Sequence, residues 1–261
     1  MNIIVLVKQV PDTTEMNVDK ETGTLIRAGV PTIINPDDLA GIEEALKLKD
    51  KMGAHVTALT MGPPQASSML RELLSRGVDE VILLTDRKFA GADTWATSNT
   101  LSAALRKLDY DLIISGRQAI DGDTAQVGPQ TAEKLGITQL SYVNEIVSID
   151  QSKIVVKKAL EDCDEVIEAK LPCLITTLSG MNTPRYMNCA KIVKSFEQDV
   201  IKWSLDDLEI DPLGIGLKGS PTKVKKTFTK DVSLETKKYT LDSQEAANFM
   251  SQLMKEKQLI S

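Results

Sequence analysis

The sequence predicts an α/β fold: a mainly parallel, doubly wound sheet with an antiparallel extension and an extended C-terminal arm. Short β-rich runs alternate with helical patterns through the first two thirds of the chain. Strands separated by helices of this length are typical of a parallel sheet covered on both faces. Past residue 136 shorter alternating segments appear, and past Lys194 the rhythm is lost. We therefore predict an α/β domain over residues 1–194 and an arm over residues 195–261.

The first elements follow this alternation. The run NIIVLVK (Asn2–Lys8) is predicted as a buried strand, and INPDDLAGIEEALKLKDKMG as the helix after it. Asn35 can cap this helix, Pro36 suits its first turn, and Asp37 and Asp38 favour the positive end of the helix dipole. Three further strands are predicted at HVTALTM, EVILLTD and DLIISG, each followed by a helical pattern.

The remaining elements are less regular. VNEIVSID, SKIVVKKAL and DEVIEAKL predict an antiparallel hairpin or an edge extension, before PCLITT returns to a buried strand. Gly214–Lys230 is rich in lysine and has little hydrophobic periodicity, and a helix capped by Asp242 or Ser243 follows. We interpret the tail as an arm that lies on a partner subunit; a frayed, disordered tail is the alternative.

Composition narrows the classes of function. The 261 residues are 42% hydrophobic, which supports a real core, and the net charge of −6 is spread along the chain. With aromatic residues at only 4%, neither a basic footprint nor a stacking platform for nucleic acid is indicated. The absence of a long apolar run or a signal-peptide pattern predicts a cytoplasmic protein without a membrane span.

Cysteine and histidine chemistry is not indicated either. Cys163, Cys173 and Cys189 are odd in number and lack CxxC spacing, so no disulfide frame, zinc site or iron–sulfur ligand set is predicted. His55, the single histidine, lies in the apolar alternation AHVTALT, which favours a structural role. The sequence has no HExxH or other metal-ligand cluster and is poorly equipped for hydrolysis.

The stretch GRQAIDGDTAQVGP follows the DLIISG strand, where an α/β protein usually holds a ligand. It contains neither GxGxxG nor GxxxxGK[ST]. Asp123 or Thr124 can cap the next helix, which leaves other first-turn N–H groups for an anion, and Asp121 could bind a ribose hydroxyl or Arg117. NPDD and GADTWATS are expected on the same rim. A nucleotide or phosphate site is therefore predicted, with a capped connection that binds nothing as the alternative.

Several separated stretches resemble one family. They are VLVKQVPD, INPDD, MGPPQA, GRQAIDGDTAQVGP, MNTPRYMN and the acidic pattern KALEDCDEVIEAKLPCLITT. Together they are similar to the beta (small) subunits of the electron-transfer flavoproteins, over nearly the whole chain. Cys163 stands where the family usually has an acidic residue or glycine.

The resemblance implies an adenine-nucleotide alpha-hydrolase-like fold and a heterodimer with an alpha subunit that carries a flavin and receives the C-terminal arm. In simple electron carriers of the family the beta subunit holds structural AMP, whereas in electron-bifurcating members the same cleft holds a second FAD. The loop with Gly122 and the stretch GADTWATS resemble the bifurcating type. Thr94 and Thr97 could offer hydroxyls to the flavin, or could serve only in capping.

Carried over residue by residue, the cofactor site would hold the adenylate, phosphates, ribose and flavin. Its predicted residues are Leu6, Lys8, Asn35, Pro36, Asp37, Asp38, Met61, Gly62, Asp93, Thr94, Thr97, Arg117, Gln118, Asp121, Gly122, Asp123, Thr124, Ala125, Gln126, Val127, Gly128 and Thr131.

The stretch PRYMNCAKIVK resembles the family's loop for docking a dehydrogenase. Its predicted docking residues are Arg185, Tyr186, Met187 and Cys189, the last in place of a larger apolar anchor. The implied reaction takes hydride from NADH and sends one electron to ferredoxin or flavodoxin. The other passes through the alpha-subunit FAD to an acyl-CoA dehydrogenase or a flavin-dependent lactate dehydrogenase.

Overall fold

In the computed structural model, residues 1–12, 31–223 and 237–260 are described. The chain divides into two compact units, Met1–Lys225 and Lys226–Ser261. The last residues of the lysine-rich stretch Gly214–Lys230 lie outside the described ranges.

The described residues of the first unit contain eleven strands and six α-helices. The strands are β1 (Asn2–Leu6), β2 (Gln9–Pro11), β3 (Thr32–Ile34), β4 (His55–Met61), β5 (Glu80–Leu84), β6 (Leu112–Gly116), β7 (Thr138–Ile149), β8 (Lys153–Ala159), β9 (Asp164–Lys170), β10 (Cys173–Thr177) and β11 (Ile201–Trp203). The helices are α1 (Pro36–Met52), α2 (Ser67–Arg76), α3 (Thr94–Leu105), α4 (Val127–Leu135), α5 (Cys189–Glu197) and the single turn α6 (Gly216–Gly219).

Nine of these strands form one sheet in the order β11-β5-β4-β1-β6-β10-β7-β8-β9. The strands from β11 to β7 are parallel, and β8 and β9 continue the sheet in antiparallel register. The predicted α/β fold with a mainly parallel sheet is confirmed. The segments predicted as an antiparallel hairpin or edge extension form β7, β8 and β9.

Successive side chains of a strand point to opposite faces of the sheet. In the parallel core both faces are buried, each under a different pair of helices. Ile3 and Val5 of β1 pack into one apolar cluster with residues of α1 and α2. Ile4 and Leu6 enter the other cluster with residues of α3 and α4. The helices that follow β1, β4, β5 and β6 therefore begin at one edge of the sheet, where sheets of this kind bind ligands; we call this edge the crevice.

Local signals explain most helix ends. Gly53 takes a left-handed conformation, with φ 71°, at the end of α1, and Gly136 does the same, with φ 68°, after α4. Both glycines therefore end their helices. The first strand is shorter than predicted, ending at Leu6 rather than Lys8.

The chain after Lys194 rejoins the sheet. β11 pairs with β5 between Ile201 and Ile82, so the first compact unit extends beyond the boundary predicted after Lys194. Sequence periodicity gives little signal for β11, because the strand has only three residues. The packing of residues 195–261 on an alpha subunit stays a prediction.

In the second unit, α7 (Ser243–Glu256) begins at a capping box. Asp242 accepts the backbone N–H groups of Gln244 and Glu245, each at 2.8 Å, which confirms Asp242 as the cap. The rings of Tyr239 and Phe249 lie 4.6 Å apart. Among all the described residues, no helix has the length and hydropathy needed to cross a membrane.

Candidate functional site

Asp38 joins the ends of two central strands beneath the crevice. Its carboxylate accepts the backbone N–H of Lys8, at 2.7 Å, and that of Gly116, at 2.9 Å. Glycine is required at position 116 because a Cβ there would overlap the Asp38 carboxylate. Asp38 therefore points inward and fixes the backbone of the site.

Burial changes the acidity of this carboxyl group. Removal from water raises the pKa of Asp38 to about 7, and the nearby charge of Asp37 adds to the increase. Hydrogen bonds with Asn35 and with the N–H groups of Lys8 and Gly116 only partly offset it.

Asn35 does not cap α1 with its side chain, so that prediction is wrong. Its Nδ2 donates to the carbonyl of Gln118, at 2.8 Å, and its Oδ1 accepts the N–H of Ile120, at 3.1 Å. The Asn35 amide is completely buried, and the loop after β6 takes both of its hydrogen-bonding ends. Asn35 thus ties the start of α1 to that loop.

The loop after β6 is longer than predicted. Helix α4 begins at Val127, and neither Asp123 nor Thr124 caps it; Gln126 occupies the cap position without a side-chain hydrogen bond. Asp123 instead accepts a hydrogen bond from Gln118 Nε2 at 2.9 Å. The predicted cap is wrong because the helix begins four residues after Asp123, whose carboxylate bonds within the loop instead.

Two non-glycine residues of this loop have left-handed backbone conformations, Asp123 with φ 50° and Ala125 with φ 52°. Such a conformation is strained for alanine and persists only where the surrounding structure enforces it. Gln126, the next residue, returns to the right-handed helical region. Alternating left- and right-handed residues turn successive N–H groups toward a common centre, which is an anion-binding arrangement.

The backbone N–H groups of residues 124–128 have no acceptor among the described residues. The carbonyl of Gln126 already accepts the N–H of Gln130, at 3.0 Å, so the helical turn itself is closed. Unpaired N–H groups at the start of a helix favour an anion such as phosphate. We call residues 124–128 the amide nest.

Lys8 and Asp121 form an ion pair across the mouth of the crevice. Lys8 Nζ lies 2.6 Å and 2.9 Å from the two carboxylate oxygens of Asp121. Asp121 is therefore paired with Lys8 and not with Arg117. Arg117 Nε instead lies 3.5 Å from Asp37 Oδ2, and these two buried atoms form no hydrogen bond.

The start of α3 lies beside the amide nest. Asp93 caps α3 by accepting the N–H of Ala96 at 3.0 Å. Thr94 Oγ1 donates to Gln126 Oε1 at 3.0 Å, and Gln130 Nε2 lies 3.4 Å from the same hydroxyl. Two of the predicted loops, GADTWATS and the loop after β6, are thus in contact, and Asn35 joins the third.

Other predicted residues lie at different depths. Gly122 is exposed, and a Cβ at this position would meet no atom within 4 Å. Gly62 donates its N–H to the Leu84 carbonyl at 3.0 Å, and Thr97 is partly buried in the first turn of α3. Thr131 is fully buried and donates to the Val127 carbonyl at 2.7 Å, so it lies behind the nest.

Sequence reasoning missed Gln130. Its Oε1 accepts the Ser98 hydroxyl at 3.1 Å, and its Nε2 approaches Thr94, so it links α3 to α4. The only signal for this role in the sequence is that Gln130 lies one helical turn after Gln126. The positive φ of Ala125 had no signal at all, since alanine rarely adopts it.

The predicted docking residues divide into two kinds. Tyr186 is 94% exposed and Met187 45%. Cys189 is exposed at the start of α5, where Asn188 caps the helix by accepting the N–H groups of Ala190 and Lys191. Arg185 differs, because its guanidinium group points inward onto α1.

Comparison with known proteins shows the family to which this α/β chain belongs. The model of the electron transfer flavoprotein domain matches residues 22–208. The chain is 53% identical to the electron transfer flavoprotein subunit beta of Clostridium acetobutylicum, over the full length of both chains. It is 51% identical to the caffeyl-CoA reductase-Etf complex subunit CarD of Acetobacterium woodii, over 88% of each chain. It is 49% identical to the acryloyl-CoA reductase electron transfer subunit gamma of Anaerotignum propionicum, also over 88% of each.

The family model covers most of this α/β chain and the beta subunit from Clostridium acetobutylicum matches its full length, so the chain belongs to the electron transfer flavoprotein family as a beta subunit.

Proposed function

We propose that this beta subunit binds FAD in the crevice above β1 and β6 and bifurcates electrons taken from NADH. One electron would pass to ferredoxin or flavodoxin. The other would pass through an FAD in an alpha subunit to a partner dehydrogenase. Two relatives, a caffeyl-CoA reductase-Etf complex subunit and an acryloyl-CoA reductase electron transfer subunit, support the dehydrogenase partner in this proposal.

The amide nest beside the open space at Gly122 carries the proposal. FAD is AMP extended by a second phosphate and a flavin. Its site therefore needs hydrogen-bond donors for the phosphates and room beyond the adenylate. The nest supplies N–H groups with no acceptor among the described residues, and no side chain stands at Gly122. The residues present therefore fit a pyrophosphate that continues past Gly122.

The protein groups around the nest would bind and orient the cofactor. Asp38 and Asn35 hold the strand end and the loop in place, so the N–H groups are organised before the ligand arrives. Lys8 places a positive charge at the mouth of the crevice. Thr94 and Gln126 lie on the α3 side; Gln126 Nε2 can donate to the flavin or its ribityl chain, and the Thr94 hydroxyl can do so only by turning away from Gln126 Oε1.

Bound FAD would supply the hydride and one-electron chemistry, so no side chain of this chain need act as acid, base or nucleophile. The protein would set the position and potential of the flavin. For the final acceptor, the relatives' names favour an acyl-CoA dehydrogenase over a flavin-dependent lactate dehydrogenase. The exposed Tyr186 and Met187 would contact this acceptor.

The alternative is an electron carrier that holds AMP as a structural ligand. One observation favours it: the Thr94 hydroxyl already has Gln126 as a partner and does not require a flavin. An adenylate would also use the same amide nest.

Cofactor analysis of the native complex separates the two proposals. We expect two FAD per heterodimer, no AMP, and NADH oxidation that requires both a low-potential acceptor and a dehydrogenase substrate. One FAD together with one AMP would establish the structural-nucleotide alternative. Two bound flavins without NADH oxidation would exclude bifurcation.

A further inference from the structure

Arg185 points into the protein, although it lies in the segment expected to contact a partner. Its Nε lies 3.0 Å from Glu43 Oε2, and its second guanidinium nitrogen lies 3.0 Å from Glu43 Oε1. The backbone N–H of Arg185 also donates to Glu43, at 2.9 Å, and Asp50 lies 2.9 Å from the remaining guanidinium nitrogen. Both ends of the guanidinium group are therefore occupied by carboxylates of α1.

The backbone next to this ion pair is held as well. Arg76 of α2 donates to the carbonyl of Arg185. The N–H of Asn188 donates to the carbonyl of Ser75, also of α2, at 2.9 Å. Tyr186 and Met187 thus form a two-residue protrusion whose neighbours on both sides are attached to helices.

Glu43 belongs to the helix that organises the cofactor crevice. The Asp37 carboxylate, in the first turn of α1, accepts the Ser179 N–H at 2.9 Å, just after β10. Asn182, between Ser179 and Arg185, donates to the Ala40 carbonyl at 3.0 Å and to Glu44 at 2.7 Å. One helix therefore supports both the crevice and the whole segment that ends at Arg185.

We propose that Arg185 and Glu43 are positioning residues: their ion pair fixes the position in which Tyr186 and Met187 contact a partner protein. Arg185 itself does not touch the partner. The Glu43 side chain is only 7% exposed, so it cannot make a partner contact. A two-pronged pair between arginine and a carboxylate fixes orientation as well as distance. The pair would hold Tyr186 and Met187 in a fixed position relative to α1, so that a partner protein meets a preorganised surface. The identity of the partner rests on the proposed function; the anchoring does not.

Hydrogen exchange on the purified native complex tests the anchoring. In Glu43→Gln and in Arg185→Lys, we expect the amides of Arg185 and Asn188 to exchange about tenfold faster, because local opening becomes easier. The amides of residues 112–116 should keep their wild-type rates. The matched control is Glu168→Gln, which breaks the exposed pair between Lys153 and Glu168, 2.8 Å apart, and should leave residues 183–190 unchanged.

Electron-transfer kinetics with the co-purifying dehydrogenase test the consequence. Glu43→Gln should raise the KM for the dehydrogenase about tenfold while kcat and cofactor content stay constant, as expected for lost preorganisation. Tyr186→Ala should raise the KM without changing the exchange of Arg185.

Wild-type exchange and KM in Glu43→Gln, together with a raised KM in Arg185→Ala, would overturn the proposal and make Arg185 a direct contact. If the wild-type complex passes no electrons to any dehydrogenase, the proposed function fails. The exchange measurement then still decides whether the ion pair holds the loop.

Discussion

Helix α1 and the residue before it hold two segments. One segment exposes backbone N–H groups, and the other exposes side chains. The loop after β6 is fixed by Asn35 and Asp38 and leaves its own backbone N–H groups unpaired at the amide nest. The segment Ser179–Asn188 is fixed by Asp37, Glu43 and Glu44, and it presents side chains, Tyr186 above all. Free amides suit a small anion, whereas exposed apolar side chains suit a protein surface. The difference shows how one helix can support both a ligand site and a docking site.

The largest expected effect concerns the close contact under the crevice. In Gly116→Ala, the new Cβ would lie 2.8 Å from the Asp38 backbone nitrogen and 2.9 Å from Asp37 Cβ, besides overlapping the Asp38 carboxylate. We expect a loss of about 4 kcal/mol or more in the free energy of unfolding, or failure to fold, because the helix cannot move away. Urea denaturation measures the effect. Gly180→Ala, in the docking segment, meets no atom within 4 Å and is the control.

The second prediction concerns pH. The folded-state pKa of Asp38, about 7, lies above its ordinary value of 3.8, so the folded protein retains a proton that the unfolded chain releases. The stabilising contribution is complete below about pH 4 and is lost as the pH rises through about 7. We expect Asp38 to lower the free energy of unfolding by about 2 kcal/mol between pH 5 and pH 7.

Asp38→Asn removes this titration, although it also loses one acceptor for the N–H groups of Lys8 and Gly116. The variant should be less stable at pH 5 and show a flatter profile of unfolding free energy between pH 5 and pH 8. An unchanged slope would show that Asp38 is ionised throughout. Among the described residues, the backbone N–H groups that Asp38 accepts belong to Lys8 and Gly116, and none belongs to Ser179–Asn188, so the effect is expected at the crevice.

The third prediction separates FAD from AMP. Gly122→Asp has room for its side chain in the protein, so the fold should be retained. The added carboxylate would stand beside the proposed path of the second phosphate. We expect about tenfold weaker FAD binding and a smaller change for AMP, since like charges repel at short range. Equilibrium dialysis with each nucleotide measures both.

Gly180→Asp adds the same charge at an open position of the docking segment and controls for net charge. Equal retention of FAD by Gly122→Asp and the wild type would contradict the assignment of Gly122. A similar loss in Gly180→Asp would attribute the effect to overall charge.

The smallest effect is expected at the mouth of the crevice. The Lys8 side chain is 48% exposed, so its ion pair with Asp121 is screened by water. Lys8→Gln should lower the free energy of unfolding by about 0.5 kcal/mol, and less at high salt. Thermal denaturation at two salt concentrations measures the difference. A loss as large as that in Gly116→Ala would show that the pair holds the loop together.

The order of strands and helices was predictable because hydrophobic periodicity and glycine at helix ends are local signals. Gly53 and Gly136 end helices for a reason contained in a few neighbouring residues. The convergence of three polar loops on one rim followed from the parallel sheet, and the motifs identified the family. These conclusions needed no long-range contact.

Only the tertiary structure decided what the polar side chains do. Asn35 and Asp123 could cap helices by their position in the sequence, yet each hydrogen-bonds to the loop after β6, and for Asn35 that loop lies more than 80 residues away. Arg185 could face a partner, yet a glutamate of α1 holds it inward. Hydrogen bonds formed in the folded state, long-range for Asn35 and within the loop for Asp123, compete with local caps of similar strength, so the choice depends on which groups folding brings together.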